Sequence, residues 1–211
     1  KIMVECAIVA IIAYLIGSIN FSVILSKKMA GFDVRDKGSG NAGTTNMLRS
    51  VGKKAAAITL VCDILKGVVA ILLAMLMNKI FPNSNGALLV QIAGVAVILG
   101  HTFPIFFKFK GGKGVATSLG VLIMSNWQIG LICLVFALIL IILTQMVSVG
   151  SIAAAILYPV LTIFIPQNYI IPGNYIIYSI VLAVIIVFNH RENVKRLLSG
   201  TENRISFKGT K

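Results

Sequence analysis

Charge is scarce in this chain. Only 12% of its 211 residues are Asp, Glu, Lys or Arg, while 58% are apolar. A water-soluble domain carries about 25% charged residues, so a soluble globule is excluded. Disorder is excluded too, because disordered segments are poor in apolar side chains, and the lack of a collagen or heptad period removes fibrous classes. Cysteine is limited to Cys6, Cys62 and Cys133. They lie far apart in apolar runs, with neither metal-ligand spacing nor the density of a disulfide scaffold, and read as packing residues. Acids are the rarest charge, 6 Asp and Glu against 19 Lys and Arg. The sequence shows no internal repeat, no low-complexity tract and no cleavable signal peptide, since the first apolar run is long enough to span and lacks a small-x-small exit site. Lys1 in place of Met points to a processed start.

What is present is apolar sequence in lengths that fit a bilayer. A hydrocarbon core of about 30 Å takes roughly 20 apolar residues per helix. Cys6 to Ser26 and Gly86 to Phe107 carry no charge, and Ala55 to Asn78 carries only Asp63 and Lys66. Gly114 to Asn189 then runs without one Lys, Arg, Asp or Glu, enough for three spans or four. Charge decides between them. Lys and Arg concentrate on cytoplasmic flanks, and apart from Lys1, Lys66 and Lys79 the cations fall in three clusters, Lys27 to Lys54, Lys108 to Lys113 and Arg191 to Lys211. For the clusters to share one side, Gly114 to Asn189 must cross an even number of times. Four crossings there make an all-α integral membrane protein with seven transmembrane helices, its N-terminus outside and its C-terminus cytoplasmic.

The expected organisation is a single polytopic membrane domain over 1–211, with cytoplasmic motif loops 27–54 and 108–114 and a cytoplasmic tail 190–211. Breaks are expected at Ser125-Asn126, at Gln145 with Ser148, and from Pro166 to Pro172-Gly173-Asn174. One short helix, about 114–126, is then too short to span unaided, unless its boundaries are displaced. Half-helices of this kind point their positive N-terminal ends at anionic ligands.

Three basic segments carry candidate chemistry. The first runs Gly38-Ser39-Gly40-Asn41-Ala42-Gly43-Thr44-Thr45-Asn46-Met47-Leu48-Arg49. It fits G-x-G-x-x-G but follows a membrane helix and not a strand, so the dinucleotide reading fails. Its glycines let backbone amides approach an anion, Ser39, Asn41 and Thr44 add neutral donors, and Arg49 can clamp a phosphate. A solvated turn with a helix N-cap is the alternative. The second is Phe107-Lys108-Phe109-Lys110-Gly111-Gly112-Lys113-Gly114-Val115-Ala116-Thr117. Glycines around one lysine at a helix start suit a phosphate cradle. It is not a Walker loop, because Val115 and Phe107 stand where the Mg²⁺-binding hydroxyl and the first glycine belong. Lys108 and Lys110 read as ordinary positive-inside anchors, and Lys113 as the candidate ligand.

The third segment, His190 to Glu202, follows the last span. A helix running on past the membrane edge puts His190, Asn193 and Leu197 on one face and pairs Glu192 with Arg196 at i, i+4. Within the spans, Asp63 and Lys66 read as a structural ion pair, and His101 as a packing or helix-end residue. The acids on the basic side, Asp33, Asp36, Glu192 and Glu202, have no clustered ligand spacing, so metal-dependent phosphoryl transfer is disfavoured. An Asp five residues after His is also missing, since Phe106 follows His101 and Lys195 follows His190 at that offset.

Gly38 to Asn46 with Arg49, Gly111 to Thr117, and His190-x-x-Asn193 with Gly200-x-Glu202 resemble the three cytoplasmic motifs of the bacterial acyl-phosphate:glycerol-3-phosphate acyltransferase family, PlsY. Gly31-Phe32-Asp33-Val34-Arg35, Asp63-x-x-Lys66-Gly67 and Gly100-His101-x-Phe103-Pro104 match in order and spacing as well. The likeness therefore covers nearly the whole chain. It implies a seven-helix enzyme of the bacterial plasma (inner) membrane with its active site on the cytoplasmic face. The implied reaction passes a fatty acyl group from acyl phosphate to the sn-1 hydroxyl of glycerol 3-phosphate, giving lysophosphatidic acid and inorganic phosphate, with no metal, cofactor or covalent nucleophile.

By the same resemblance Ser39, Arg49 and Lys113 bind the phosphate of glycerol 3-phosphate, and His190 and Asn193 orient its hydroxyls. The backbone around Gly111, Gly112 and Gly114, with Asn41, Thr44 and Asn46, holds the acyl phosphate. His190 acts either as a base or as a substrate ligand only. The implied partners are glycerol 3-phosphate, fatty acyl phosphate and membrane lipid, with no nucleic acid. Two rival readings are a membrane carrier for a phosphorylated metabolite, for which the lack of an internal repeat is awkward, and a non-catalytic binder of anionic lipid, which leaves the His-x-x-Asn face unexplained.

Overall fold

A computed structural model describes residues 2–82, 84–165 and 170–205, and every regular element among them is helical. The chain forms two compact units, Lys1–Asn126 with Asn168–Asn174, and Trp127–Gln167 with Tyr175–Lys211.

The first unit contains α1 (Ile2–Ser18), α2 (Phe21–Ala30), α3 (Thr44–Ser50), α4 (Lys53–Ile80), α5 (Gly86–Thr102) and α6 (Val115–Ser125). The first apolar run, expected to be continuous, is broken after Ser18. Asn20 is extended there, and its side-chain oxygen accepts from the Val23 N–H at 3.2 Å and the Ser22 hydroxyl at 2.7 Å, which starts a new helix. α2 stops at Gly31, which takes a left-handed φ of 76° and donates its N–H to the Lys27 carbonyl.

Lipid tails are as apolar as leucine, so helix pairing in a bilayer rests on close backbone approach more than on apolar burial. Two glycine pairs supply it. A Cβ on Gly17 would stand 2.2 Å from the Val97 carbonyl oxygen and one on Gly100 2.2 Å from that of Tyr14, which seats α1 on α5. Likewise a Cβ on Gly67 would stand 2.3 Å from the Thr117 oxygen and one on Gly120 2.1 Å from that of Ile64, which seats α6 on α4. The outward side chains of α4, among them Val61, Leu65, Leu72 and Leu76, are apolar and exposed, as a lipid-facing surface requires. At the other extreme, Val23, Val34, Ala42, Met47, Ala55 and Ala56 form a small buried core flanked by Leu25, Leu48, Val51 and Phe107. That core holds the loop between α2 and α4 in one conformation, at about 1.5–3 kcal/mol for each large side chain buried.

The second unit contains α7 (Trp127–Thr144), α8 (Val147–Phe164), α9 (Ile176–Asn189) and α10 (Arg191–Leu198). Among the described residues the uncharged stretch thus holds four helices, α6 to α9. Two of its breaks fall where the polar residues stand, at Asn126 and at Gln145, whose φ is 59°. The third lies between Phe164 and Ile176, with residues 166–169, including Pro166, outside the described set. α9 does not run on past His190. The chain bends there by 60° into α10, which corrects the expectation of one continuous helix.

Among the described residues five helical segments are long and apolar enough to cross a membrane: Ile2–Ala30, Lys53–Ile80, Gly86–Phe107, Trp127–Thr144 and Val147–Phe164. The bent pair α9 and α10 makes a sixth if taken as one span. α6, with 11 residues, is about 16 Å long and cannot cross alone.

Candidate functional site

The first motif loop is built around one buried amide. Asn46, in the first turn of α3, donates from its Nδ2 toward the carbonyls of Val34 at 2.8 Å, Lys37 at 3.0 Å and Asn41 at 3.0 Å. Its Oδ1 accepts the Ser39 backbone N–H at 2.9 Å. The carboxamide is therefore committed to folding the loop. Asn46, expected to help hold an acyl phosphate, shapes the loop that carries Ser39. Gly38 and Gly40 take left-handed φ values of 58° and 70° on either side of Ser39, a path that glycine follows without strain. Ser39 and Arg49 are exposed, Asn41 is half-buried, and the Thr44 hydroxyl is inside without a hydrogen-bond partner.

The second loop is strapped to the first. Asp33 accepts from Arg35 Nε at 2.9 Å and Nη2 at 2.7 Å, and Arg35 Nη1 reaches across to the carbonyls of Phe107 at 2.8 Å and Lys110 at 3.1 Å. The Arg35 hydrogen bonds hold the Asp33 carboxyl down at about 2, well below its ordinary range, against the opposing effect of burial. This bolt supports two successive non-glycine residues, Lys108 and Phe109, at left-handed φ values of 58° and 56°, a conformation that costs about 1–3 kcal/mol per residue. As a pair, Arg35 and Asp33 entered the sequence reading only through the family likeness. An Asp-x-Arg spacing able to form a bidentate pair is the local signal for them.

Beyond the bolt, the Gly111 N–H donates to the Thr102 carbonyl and the Gly112 N–H to the His101 carbonyl, each at 3.1 Å. These two amides, in the backbone expected to hold an anion, make the bonds that close the loop. Their lack of side chains serves it too. A Cβ on Gly112 would meet His101 Nε2 at 2.2 Å and the Ala42 oxygen at 2.5 Å, so the two motif loops touch here. Lys113 follows, half-buried. Gly114 then takes a left-handed φ of 85° and opens α6 without a side-chain cap. The first turn of α6, with Lys113 beside it, presents the positive end of a helix dipole and an ammonium group together.

In the second unit His190 and Asn193 are both buried, at 3% and 6% exposure. His190 Nδ1 lies 2.8 Å from the Ile186 carbonyl. A carbonyl only accepts, so Nδ1 carries the proton, and in the neutral ring Nε2 is the acceptor. Asn193 Nδ2 donates to Glu202 Oε1 at 2.7 Å, where the Ser148 hydroxyl also donates at 2.8 Å, and Arg196 Nε donates to Oε2 at 2.9 Å. Burial raises the Glu202 carboxyl, but those hydrogen bonds outweigh it and hold the group below its ordinary value. The expected pairing of Glu192 with Arg196 is corrected: Glu192 pairs with Lys195 at 3.2 Å on the surface, and Arg196 belongs to Glu202. The tail is tied down further by the Ile205 N–H on the Gln145 carbonyl at 2.7 Å. No cluster of three or more His, Cys, Asp or Glu able to hold a metal occurs among the described residues.

The chain matches the family model described as glycerol-3-phosphate acyltransferase over residues 7–200. It is 46% identical over 200 residues to a glycerol-3-phosphate acyltransferase of Thermoanaerobacter pseudethanolicus, covering 94% of this chain and 95% of that one. With the Clostridioides difficile protein of the same name it shares 40% identity over 201 residues, 95% and 96% of the two chains. Among solved structures it is similar to PlsY (YgiH), an integral membrane glycerol 3-phosphate acyltransferase. The glycerol 3-phosphate form aligns with a TM-score of 0.84 at 37% identity, covering 95% of this chain and 96% of that one. The lysophosphatidic acid form aligns at 0.82 and 36%, covering 95% of each. With this likeness running through every motif segment described above, the chain belongs to the glycerol-3-phosphate acyltransferase family.

Proposed function

We propose that this protein transfers a fatty acyl group from acyl phosphate to the sn-1 hydroxyl of glycerol 3-phosphate, at the cytoplasmic face of a bacterial inner membrane, as the first acylation step of phospholipid biosynthesis. The chain acts as one polytopic domain of seven spans, N-terminus outside, with α6 as the short one. The observation that carries this reading is the Arg35 bolt, which ties the loop that carries Ser39 to the one that carries Lys113 and leads into the uncapped start of α6.

Two phosphate-bearing substrates repel each other, and in a partly dry site that repulsion is several kcal/mol even at an effective dielectric near 20. Ser39, Arg49, Lys113 and the first turn of α6 offset it, with Ser39, Arg49 and Lys113 taking the glycerol 3-phosphate. The backbone around Gly111, Gly112 and Gly114, with Asn41, Thr44 and Asn46, holds the acyl phosphate. His190 and Asn193 orient the glycerol hydroxyls, Asn193 being held for that task by Glu202. The hydroxyl oxygen attacks the acyl carbonyl carbon, the bond from that carbon to the phosphate oxygen breaks, and the departing phosphate takes the electron pair and then the hydroxyl proton. Acyl phosphate is activated already, so the protein supplies position and charge without a nucleophile of its own.

Two variants test this reading. Lys113→Ala should raise KM for glycerol 3-phosphate by about tenfold or more. His190→Gln should keep part of kcat while KM rises, because the proton leaves on the substrate phosphate; complete loss of the chemical step would make His190 the base and overturn the substrate-assisted route.

A further inference from the structure

Inside the first unit, Asp63 and Lys66 of α4 and His101 of α5 are all buried, at 2%, 4% and 5% exposure. Lys66 Nζ lies 2.9 Å from Asp63 Oδ1, and His101 Nδ1 lies 3.7 Å from the same oxygen with no hydrogen-bond partner of its own. A buried ion pair is poor evidence of stabilisation, since well-packed apolar replacements are often neutral or better. Its use therefore has to be sought in what it holds.

The pair, with His101 and Gly67 beside it, meets three parts of the unit. Lys66 donates to the carbonyls of Gly17 and Ile19, each at 3.2 Å, the acceptors left open where α1 breaks before α2. His101 carries the second motif loop: its carbonyl takes the Gly112 N–H, and its Nε2 edge fills the space where a Gly112 side chain would be. On the other side of Gly112 stands the Ala42 carbonyl of the first motif loop. Gly67, next to Lys66, seats α6 through the Thr117 carbonyl. The segment around Lys113 is thus met at both ends, at Gly112 by His101 of α5, which stands against Asp63, and at α6 by Gly67 of α4.

We propose that Asp63, Lys66 and His101 are a positioning cluster for Lys113. They set where its ammonium stands, and through it the affinity for a phosphorylated substrate, without touching that substrate. The link to substrate rests on the acyltransferase reading; the link to the loop does not.

The test uses the full chain in lipid nanodiscs. The neutral double variant Asp63→Asn/Lys66→Met keeps the charge balance and removes the charges beside His101, and His101→Gln leaves the ion pair intact. Amide hydrogen exchange over residues 109–114 should rise about tenfold in both, while α1, α4 and α7 keep their protection. KM for glycerol 3-phosphate should rise about tenfold, with kcat within about twofold of the parent. Unchanged exchange at 109–114, or a rise spread evenly through α1 and α4, overturns the proposal, and so does a fall in kcat at constant KM. If the double variant does not fold, His101→Gln alone decides by the same criteria. A parent protein that makes no lysophosphatidate refutes the acyltransferase reading, and the exchange result still decides whether the cluster holds the loop.

Discussion

Single side chains in this protein do two different jobs, and residue type alone does not separate them. Asn46 and Asn193 are both amides in motif segments, yet Asn46 spends its Nδ2 on loop carbonyls whereas Asn193 is itself held by Glu202. Asn46→Ala should destabilise the protein by about 1–3 kcal/mol, because buried carbonyls lose their donor; thermal unfolding in detergent measures it, and activity should fall with the fold. Glu202→Gln removes the charge that gathers Asn193, Arg196 and Ser148, with a similar loss of stability, about 1–3 kcal/mol. In the parent, the Glu202 contribution is complete above the ordinary carboxylate range and lost as pH falls through the lowered folded value. Glu202→Gln should therefore flatten the acid limb of thermal stability.

At the scale of elements, the strap between the two motif loops has its own pH signature. The Asp33 carboxyl is held at about 2 in the folded protein, against about 3.9 in an unfolded chain, so its contribution, on the order of 1–2 kcal/mol once solvent screening is discounted, is intact above about pH 4 and lost between there and about pH 2. Asp33→Asn should lower stability at neutral pH and remove that part of the acid dependence. Gly112→Ala forces a Cβ against His101 and Ala42 and should raise KM for glycerol 3-phosphate more than it lowers kcat, by steady-state kinetics. Much of the element pattern could be read from the sequence. Bilayer thickness sets helix length, and polar residues at Asn126 and Gln145 mark the breaks. Two features could not be read. The break at Asn20 lies inside an uncharged run long enough to span, which masks the Gly17-Ser18 and Asn20 cap signals within it, and the bend at His190 occurs without Pro or Gly. The fate of the Gly111 and Gly112 amides was hidden too, because a glycine required by close packing and one required by an anion look alike in sequence.

Across the whole molecule, charge and apolarity are segregated. The uncharged stretch supplies the apolar helices α6 to α9, and the cations gather in segments that flank them. Such a division suits a reaction whose acyl chain belongs among lipid tails and whose phosphates belong in water. The two motif loops of the first unit share one small apolar core and one arginine bolt, so they are expected to respond together: Arg35→Ala should raise KM for glycerol 3-phosphate although the residue is assigned no substrate contact. The most direct measurement gives detergent-purified protein glycerol 3-phosphate with palmitoyl phosphate, and in parallel with palmitoyl-CoA, while inorganic phosphate and lysophosphatidate are followed. Equal amounts of phosphate and lysophosphatidate from the acyl phosphate, with nothing from the thioester, are the expected result. Folded protein that yields no product from acyl phosphate would contradict the proposed reaction and bring forward a carrier of phosphorylated metabolites.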